Sequence, residues 1–272
     1  MTSLNAESLR KQLAGKMIGH RLYYYDEIGS TNDEAFRLGE EGAPEGTVLI
    51  AESQTSGKGR MQRVWYSPAG ANIYTSMILR PLAGRMQATQ IPIAAGVAAA
   101  ETLNEFCPGK AWIKWPNDVL IGGKKVCGIL AQMKMSGQAV DFVVVGIGIN
   151  VNLAREQFPQ DIQEIATALA IEAGREISRP ELIIRLYENM TKWYRELIQN
   201  GFASVRERWL NRSEMIDKTV SIVFHNEAVS GKAVGLDEDG SLILLTANNQ
   251  KMSVSAGDAT ILKEVNTYAA GN

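Results

Sequence analysis

Ten residues from Ser56 to Trp65 read Ser-Gly-Lys-Gly-Arg-Met-Gln-Arg-Val-Trp: three cations, two glycines and an aromatic ring, with no carboxylate among them. Glycines let backbone N–H groups approach a ligand closely, Lys58 and Arg60 supply positive charge, and Trp65 offers a flat face to a base. This is the composition of a loop that closes over an anionic, nucleotide-like molecule. Taken without its neighbours, the same stretch is equally a solvated hairpin loop with Trp65 in the core.

Three more clusters change that balance. Lys114-Trp115-Pro116-Asn117-Asp118 precedes Gly122-Gly123-Lys124-Lys125-Val126-Cys127-Gly128. Proline sets a turn, the Asn117 amide offers a donor and an acceptor to a base edge, and Lys125 extends from the start of a strand. Ser30-Thr31-Asn32, with Gln54 at the end of the following strand, presents hydroxyls and amides to a neutral polar ring. Thr31 with Glu34 three residues on also reads as a helix capping box. The fourth cluster, Gly146-Ile-Gly-Ile-Asn150, has Val151 where a dinucleotide fingerprint needs its third glycine, and no GxxxxGK[ST] occurs, so neither a Rossmann nucleotide site nor a P-loop is indicated.

What is missing narrows the chemistry. His20 and His225 are the only histidines, and Cys107 and Cys127 are the only cysteines and form no CxxC. That is too few for a zinc cage or a disulfide framework, and no Gly-x-Ser-x-Gly elbow supplies a nucleophile. Cationic positioning and electrostatic stabilisation remain. With a formal charge of -2 the chain has no global basic field for nucleic acid or an anionic membrane. No stretch reaches the ~18 to 20 apolar residues of a membrane span, and the polar start is not a signal sequence, so a soluble, cytoplasmic protein is expected.

These clusters need elements to hold them. Strands are expected at Leu22–Ile28, Thr47–Glu52 and Ile73–Leu79, with a helix from Thr31 to Gly39 and an alanine-rich helix from Gln87 to Phe106. Four short strands follow at Trp112–Lys114, Val119–Ile121, Lys125–Met133 and Asp141–Ile149, at hairpin spacing. Met1 to Gly15 has the leucine spacing of a short surface helix. Further helices are read at Ile162–Ala173, Pro180–Gln199 and Phe202–Leu210. From Thr219 short apolar runs (Val220–Phe224, Leu242–Leu245, Met252–Val254, Ala259–Leu262) alternate with turns, the pattern of a small β-barrel of about five strands. The boundary falls near Ser213 to Lys218, which divides the chain into residues 1–215 and 216–265.

In this order the four clusters, with the tail Ala256-Gly257-Asp258, resemble those of the biotin protein ligases over about Tyr23 to Leu262. The resemblance implies an α+β catalytic domain like that of class II aminoacyl-tRNA synthetases and biotin ligases, with a mixed, largely antiparallel sheet, followed by an SH3-like barrel. It implies that Ser30, Thr31, Asn32 and Gln54 line a pocket for the ureido ring of biotin, and that Lys58, Gly59 and Arg60 belong to a loop over biotin and the ATP phosphates. Lys125 would contact the biotin carboxylate and α-phosphate, with Gly128 beside it, while Trp65, Asn117 and Asn150 would serve the adenine. Arg60 and Lys125 would be catalytic, in a reaction that makes biotinyl-5'-AMP from biotin and MgATP and passes biotin to a lysine of a biotin carboxyl carrier protein.

Two departures stand out. The family loop often reads Gly-Arg-Gly-Arg-x-Gly-Arg-x-Trp, whereas Lys58 here replaces the first arginine and Gln62 the third glycine. Some members also carry an N-terminal winged-helix repressor domain, and only about twenty residues precede the pattern here, which points to the monofunctional type without sequence-specific DNA binding. A homodimer is a possibility the family raises. The competing readings are a lipoate protein ligase, which shares the catalytic fold, and a non-catalytic biotin-responsive regulatory module.

Overall fold

A computed structural model describes residues 4–81, 89–137, 139–224 and 227–262. The chain opens with α1 (Ala6–Leu13), whose N-cap Asn5 accepts the Ser8 amide and whose buried face is Leu9 and Leu13, four residues apart. Strand β1 (Arg21–Ile28) leads into α2 (Thr31–Glu40) and back to β2 (Thr47–Gln54), which pairs with β1 in parallel. That crossover places the start of α2 and the end of β2 at one end of the sheet. Residues 1–3 of the expected N-terminal helix, and 87 and 88 of the alanine-rich one, lie outside the described residues.

β3 (Ile73–Leu79), α3 (Gln90–Phe106), β4 (Ala111–Lys114), β5 (Asp118–Ile121), β6 (Lys124–Ser136) and β7 (Ala139–Ile149) complete a seven-stranded sheet of order β1-β2-β3-β7-β6-β5-β4. Apart from β1 with β2, every pairing is antiparallel. Alternation along β7 explains what each face does. Val143, Val145, Ile147 and Ile149 share one buried cluster with α3, whereas Phe142 and Val144 pack against Ala35 and Leu38 of α2. Gly146 and Gly148 continue the second face without side chains, so space opens above them.

The rest of the helical layer is α4 (Leu169–Ala173), α5 (Arg179–Asn200) and α6 (Phe202–Leu210). Ser178 caps α5 by accepting the Glu181 amide, Pro180 sits in its first turn, and Leu182, Leu186, Met190, Trp193 and Leu197 form its buried stripe. The reading of Ile162 to Ala173 as one helix is corrected: only Leu169–Ala173 is helical. The preceding segment is a run of turns, with the Ala166 N–H donating to Ile162 O at 2.9 Å, that ends against the sheet: the Lys125 N–H donates to Ile165 O at 2.8 Å and the Thr167 N–H to Lys125 O at 2.9 Å.

A second, antiparallel sheet contains β8 (Thr219–Phe224), β9 (Glu227–Leu236), β10 (Leu242–Leu245), β11 (Lys251–Val254) and β12 (Asp258–Ile261), in the order β11-β10-β9-β8-β12. Five strands were expected, but β9 was not among the named runs. Its apolar residues are interrupted by Ser230, Gly231, Lys232 and Gly235, which dilute the pattern. The two sheets share one core, since Val220, Ile222, Leu236 and Leu244 belong to the same buried cluster as α3 and α5. Polar ties cross as well: Trp115 Nε1 donates to Gly240 O at 3.2 Å and Gln90 Nε2 to Glu238 O at 2.7 Å.

Candidate functional site

A cavity of about 480 Å3 lies on the α2 face of the large sheet, over the glycines of β7. Its floor is a continuous polar network. Asn32 Nδ2 donates to Leu130 O at 3.2 Å and to Gln132 Oε1 at 3.0 Å, and the Ser76 hydroxyl lies 2.6 Å from Asn32 Oδ1 and 2.8 Å from Thr31 Oγ1. The Thr31 backbone N–H and hydroxyl both donate to Gln54 Oε1, at 2.9 and 3.1 Å. Gln54 Nε2 in turn reaches Ser67 Oγ at 3.0 Å, and that hydroxyl donates to Trp65 O at 2.8 Å. The floor is thereby wired to the end of the cationic loop.

This network corrects the capping-box reading. Ser30, not Thr31, occupies the N-cap, its side chain makes no capping bond, and Glu34 turns to Arg37 and Tyr25. Thr31 has a better partner in the half-buried Gln54 amide, a group 23 residues away that only the finished fold brings near. Sequence proximity favoured the local bond; burial decided for the distant one.

The loop is a tight hairpin. Trp65 N–H donates to Gly57 O at 2.9 Å and Gly59 N–H to Arg63 O at 2.7 Å around a single 3-10 turn, Arg60–Gln62. A Cβ on Gly57 would fall 2.5 Å from Trp65 O and 2.6 Å from Ser67 Oγ, so no side chain fits there. Met61 and Gln62 take φ values of 53° and 61°, the left-handed region that favours glycine. Gln62, which departs from the expected glycine, therefore carries a strain of about 1 to 2 kcal/mol.

Cations and carboxylates meet around the cavity mouth. Lys58 Nζ is 2.6 Å from Asp33 Oδ1, and Arg63 pairs with Asp258 at the start of β12. Arg60 Nη1 donates to Asn117 Oδ1 and to Gly257 O, both at 3.3 Å. Burial pulls the Arg60 guanidinium below the usual arginine range, and the nearby Asp258 and Asp118 carboxylates oppose it. Lys125 Nζ sits 2.6 Å from Asp118 Oδ1, in an ion pair without hydrogen-bond alignment.

Lys125 Nζ also lies 5.3 Å from the centre of the Trp65 ring. The ring rests on bare backbone: Gly128 and Gly148 are directly paired across β6 and β7, and a Cβ on either would come within 2.7 or 2.5 Å of the indole. Asn117 Nδ2 donates to Ile129 O at 2.8 Å, and Asn150 Nδ2 to Thr167 O at 3.1 Å.

All the residues singled out in the sequence line this one cavity: Ser30, Thr31, Asn32 and Gln54 on its floor, Lys58, Gly59, Arg60 and Trp65 in the loop, and Asn117, Lys125, Gly128 and Asn150 on the facing strands. Residues not singled out join them. Ser67 and Ser76, buried behind the cavity, brace Gln54 and Asn32 of its floor, while Asp118 and Asp258, which stood in quoted motifs without a role, line it and pair with the cations. Nothing in the spacing of Ser67 or Ser76 marks them; only strand register brings them in.

Residues 25–150 match the family model described as Biotin/lipoate A/B protein ligase family, and residues 215–261 that of the Biotin protein ligase C terminal domain. Over 253 residues the chain is 37% identical to the bifunctional ligase/repressor BirA of Bacillus subtilis (strain 168), an alignment that covers 93% of this chain and 78% of that one. The chain belongs to the biotin protein ligase family. A second biotin ligase relative is the biotin–acetyl-CoA-carboxylase ligase of Paracoccus denitrificans, 34% identical over 220 residues, 79% of this chain and 90% of that one. Among solved biotin protein ligases, the one from Aquifex aeolicus in complex with biotin and ATP matches with a TM-score of 0.77 at 29% identity, covering 89% of this chain and 99% of that one. The α+β fold with its mixed sheet and C-terminal β-module agrees with the expectation.

Proposed function

We propose that the chain is an ATP-dependent ligase that activates biotin as biotinyl-5'-AMP and transfers it to a lysine of a biotin carboxyl carrier protein. The observation that carries this reading is the convergence of an amide-and-hydroxyl floor with three cations, Lys58, Arg60 and Lys125, on one cavity. A carboxylate is a poor electrophile, so one of its oxygens first attacks the α-phosphorus of ATP. A P–O bond forms and pyrophosphate leaves. The neutral amine of the acceptor lysine then attacks the acyl carbon, a C–N bond forms, the C–O bond to AMP breaks, and the proton passes to solvent.

Both nucleophiles come from substrates, so the protein supplies positioning and charge. Ser30, Thr31, Asn32 and Gln54 read the ureido ring, whose carbonyl and two N–H groups match a floor rich in donors and acceptors. Arg60 and Lys125 stabilise charge on the phosphate, aided by Lys58 and the Gly59 backbone, while Gly128 leaves room beside Lys125. Trp65, Asn117 and Asn150 hold the adenine. Asp118, Glu164 and Asp258 line the cavity, and among the described residues no group of three or more metal-binding side chains occurs. Mg2+ in this reading arrives with the triphosphate as part of the substrate.

Residues 1–215 form the catalytic unit in this reading and 216–265 the β-module. Among the described residues no helix is long and apolar enough to cross a membrane, and both cysteines are free and buried. We place the enzyme in the cytoplasm, with its ATP and carrier protein.

Incubation with biotin and α-labelled MgATP is expected to yield biotinyl-AMP and pyrophosphate, then biotin on an added carrier domain. Absence of the adenylate would refute the reading. Lipoate in excess is expected not to compete; preferential activation of lipoate would favour the lipoate ligase, and biotin binding without ATP turnover would favour a regulatory module.

A further inference from the structure

The cross-bonds of the hairpin from Gly57 to Trp65 close its stem but leave its tip strained. Met61 and Gln62 sit in backbone that side chains disfavour, and the buried Trp65 indole N–H has no partner among the described residues. Its position over the cavity therefore depends on anchors outside it. Lys58, at its start, pairs with Asp33 of α2. Arg63, near its end, pairs with Asp258, 195 residues away on β12, and the adjacent Gly257 carbonyl accepts from Arg60. One anchor belongs to α2, the helix that crosses between β1 and β2, and the other to the C-terminal sheet.

We propose that Asp258 is a positioning residue which, through Arg63, clamps the far end of the loop across the cavity mouth, so that the C-terminal sheet governs how long the acyl-adenylate is retained. The inference rests on the ligase reading above. Arg60 can exchange the neutral Gly257 carbonyl for a phosphate oxygen, a stronger partner, while Arg63 keeps the loop in place. An exposed ion pair contributes little to a rigid structure. Here it acts on a loop whose own conformation is strained, so a small energy shifts the closed population directly.

The test forms biotinyl-AMP on the enzyme, removes ATP, and follows release of the adenylate during a chase with excess unlabelled compound. Asp258→Asn and Arg63→Gln are each expected to speed release roughly 3- to 5-fold without lowering the melting temperature. The exchanged pair, Asp258→Arg with Arg63→Asp, is expected to restore slow release, which a merely structural role would not do. Wild-type release rates in both single variants, or no recovery in the exchanged pair, would overturn the clamp. Trypsin cleavage of the ligand-free loop, expected to be faster in Asp258→Asn, judges the same contact even if wild-type protein formed no adenylate, a result that would sink the ligase reading by itself.

Discussion

Replacing Gly146 by alanine puts a methyl group where the pocket floor already stands. A Cβ there falls 1.9 Å from Asn32 Oδ1 and 2.7 Å from its Cγ, so Asn32 must retreat by about 1 Å or more. Its contact with Ser76, now 2.6 Å, then leaves hydrogen-bond range, and at least one of the Nδ2 bonds to Leu130 and Gln132 is strained with it. At about 1 kcal/mol for each lost bond, the floor gives up about 2 kcal/mol, or roughly 30-fold in affinity for a ring that Asn32 reads. Titration calorimetry with biotin measures this. Gly148→Ala is the control, because its Cβ meets the Trp65 ring at 2.5 Å and spares Asn32. It is expected to raise the KM for ATP while biotin affinity stays within about threefold. Unchanged biotin affinity in Gly146→Ala, or equal losses in both variants, would refute this division of the cavity.

Arg60→Ala and Lys125→Ala are each expected to weaken adenylation by roughly 2 to 4 kcal/mol in pyrophosphate exchange, with unaltered melting curves. Gln62→Gly relieves a left-handed φ of 61° and should slow amide exchange across residues 58–64 about 3-fold; faster exchange would contradict the strain argument. Burial alone would raise the Glu52 carboxyl, but the Arg179 bonds, the Leu4 N–H and the Tyr24 hydroxyl outweigh it and hold it below its ordinary 4.5. Its native pKa lies under the unfolded value, so its stabilisation is complete above about pH 4.5 and is lost as the pH falls through the lower native value. Glu52→Gln removes the anionic half of the buried Glu52–Arg179 pair, and chemical denaturation at pH 7 should show a loss of about 3 kcal/mol with a flatter profile below pH 4.5.

Where an element's signal is local, it was legible before the structure. α5 announces itself through Ser178, Pro180 and an apolar stripe, and β7 through a run that must be buried on both faces. Where two segments compete for the same backbone groups, the pattern misleads. Ile162, Ile165 and Ala166 have helical spacing, yet the segment makes only turns before it meets Lys125, where β6 leaves a donor and an acceptor to be satisfied. The candidate site divides the same way. Four clusters stood out because their residue types are unusual together, whereas Ser67, Ser76 and the Arg63–Asp258 pair became visible only through register and long-range contact. No periodicity encodes a partner 195 positions away.

The cavity takes walls from residues 30–32, 54–66, 114–130, 146–150 and 258. A ribosome delivers these parts in order, so a nascent chain that has already made α2 and β2 owns most of the amide-bearing floor but neither β7 beneath it nor the carboxylate that ties down Arg63. Such long sequence separations slow assembly and tie competence to completion. A polypeptide that stops before β7 therefore has no cavity in which to make a reactive mixed anhydride, and the clamp that retains that anhydride comes last, once residue 258 has been made and has docked.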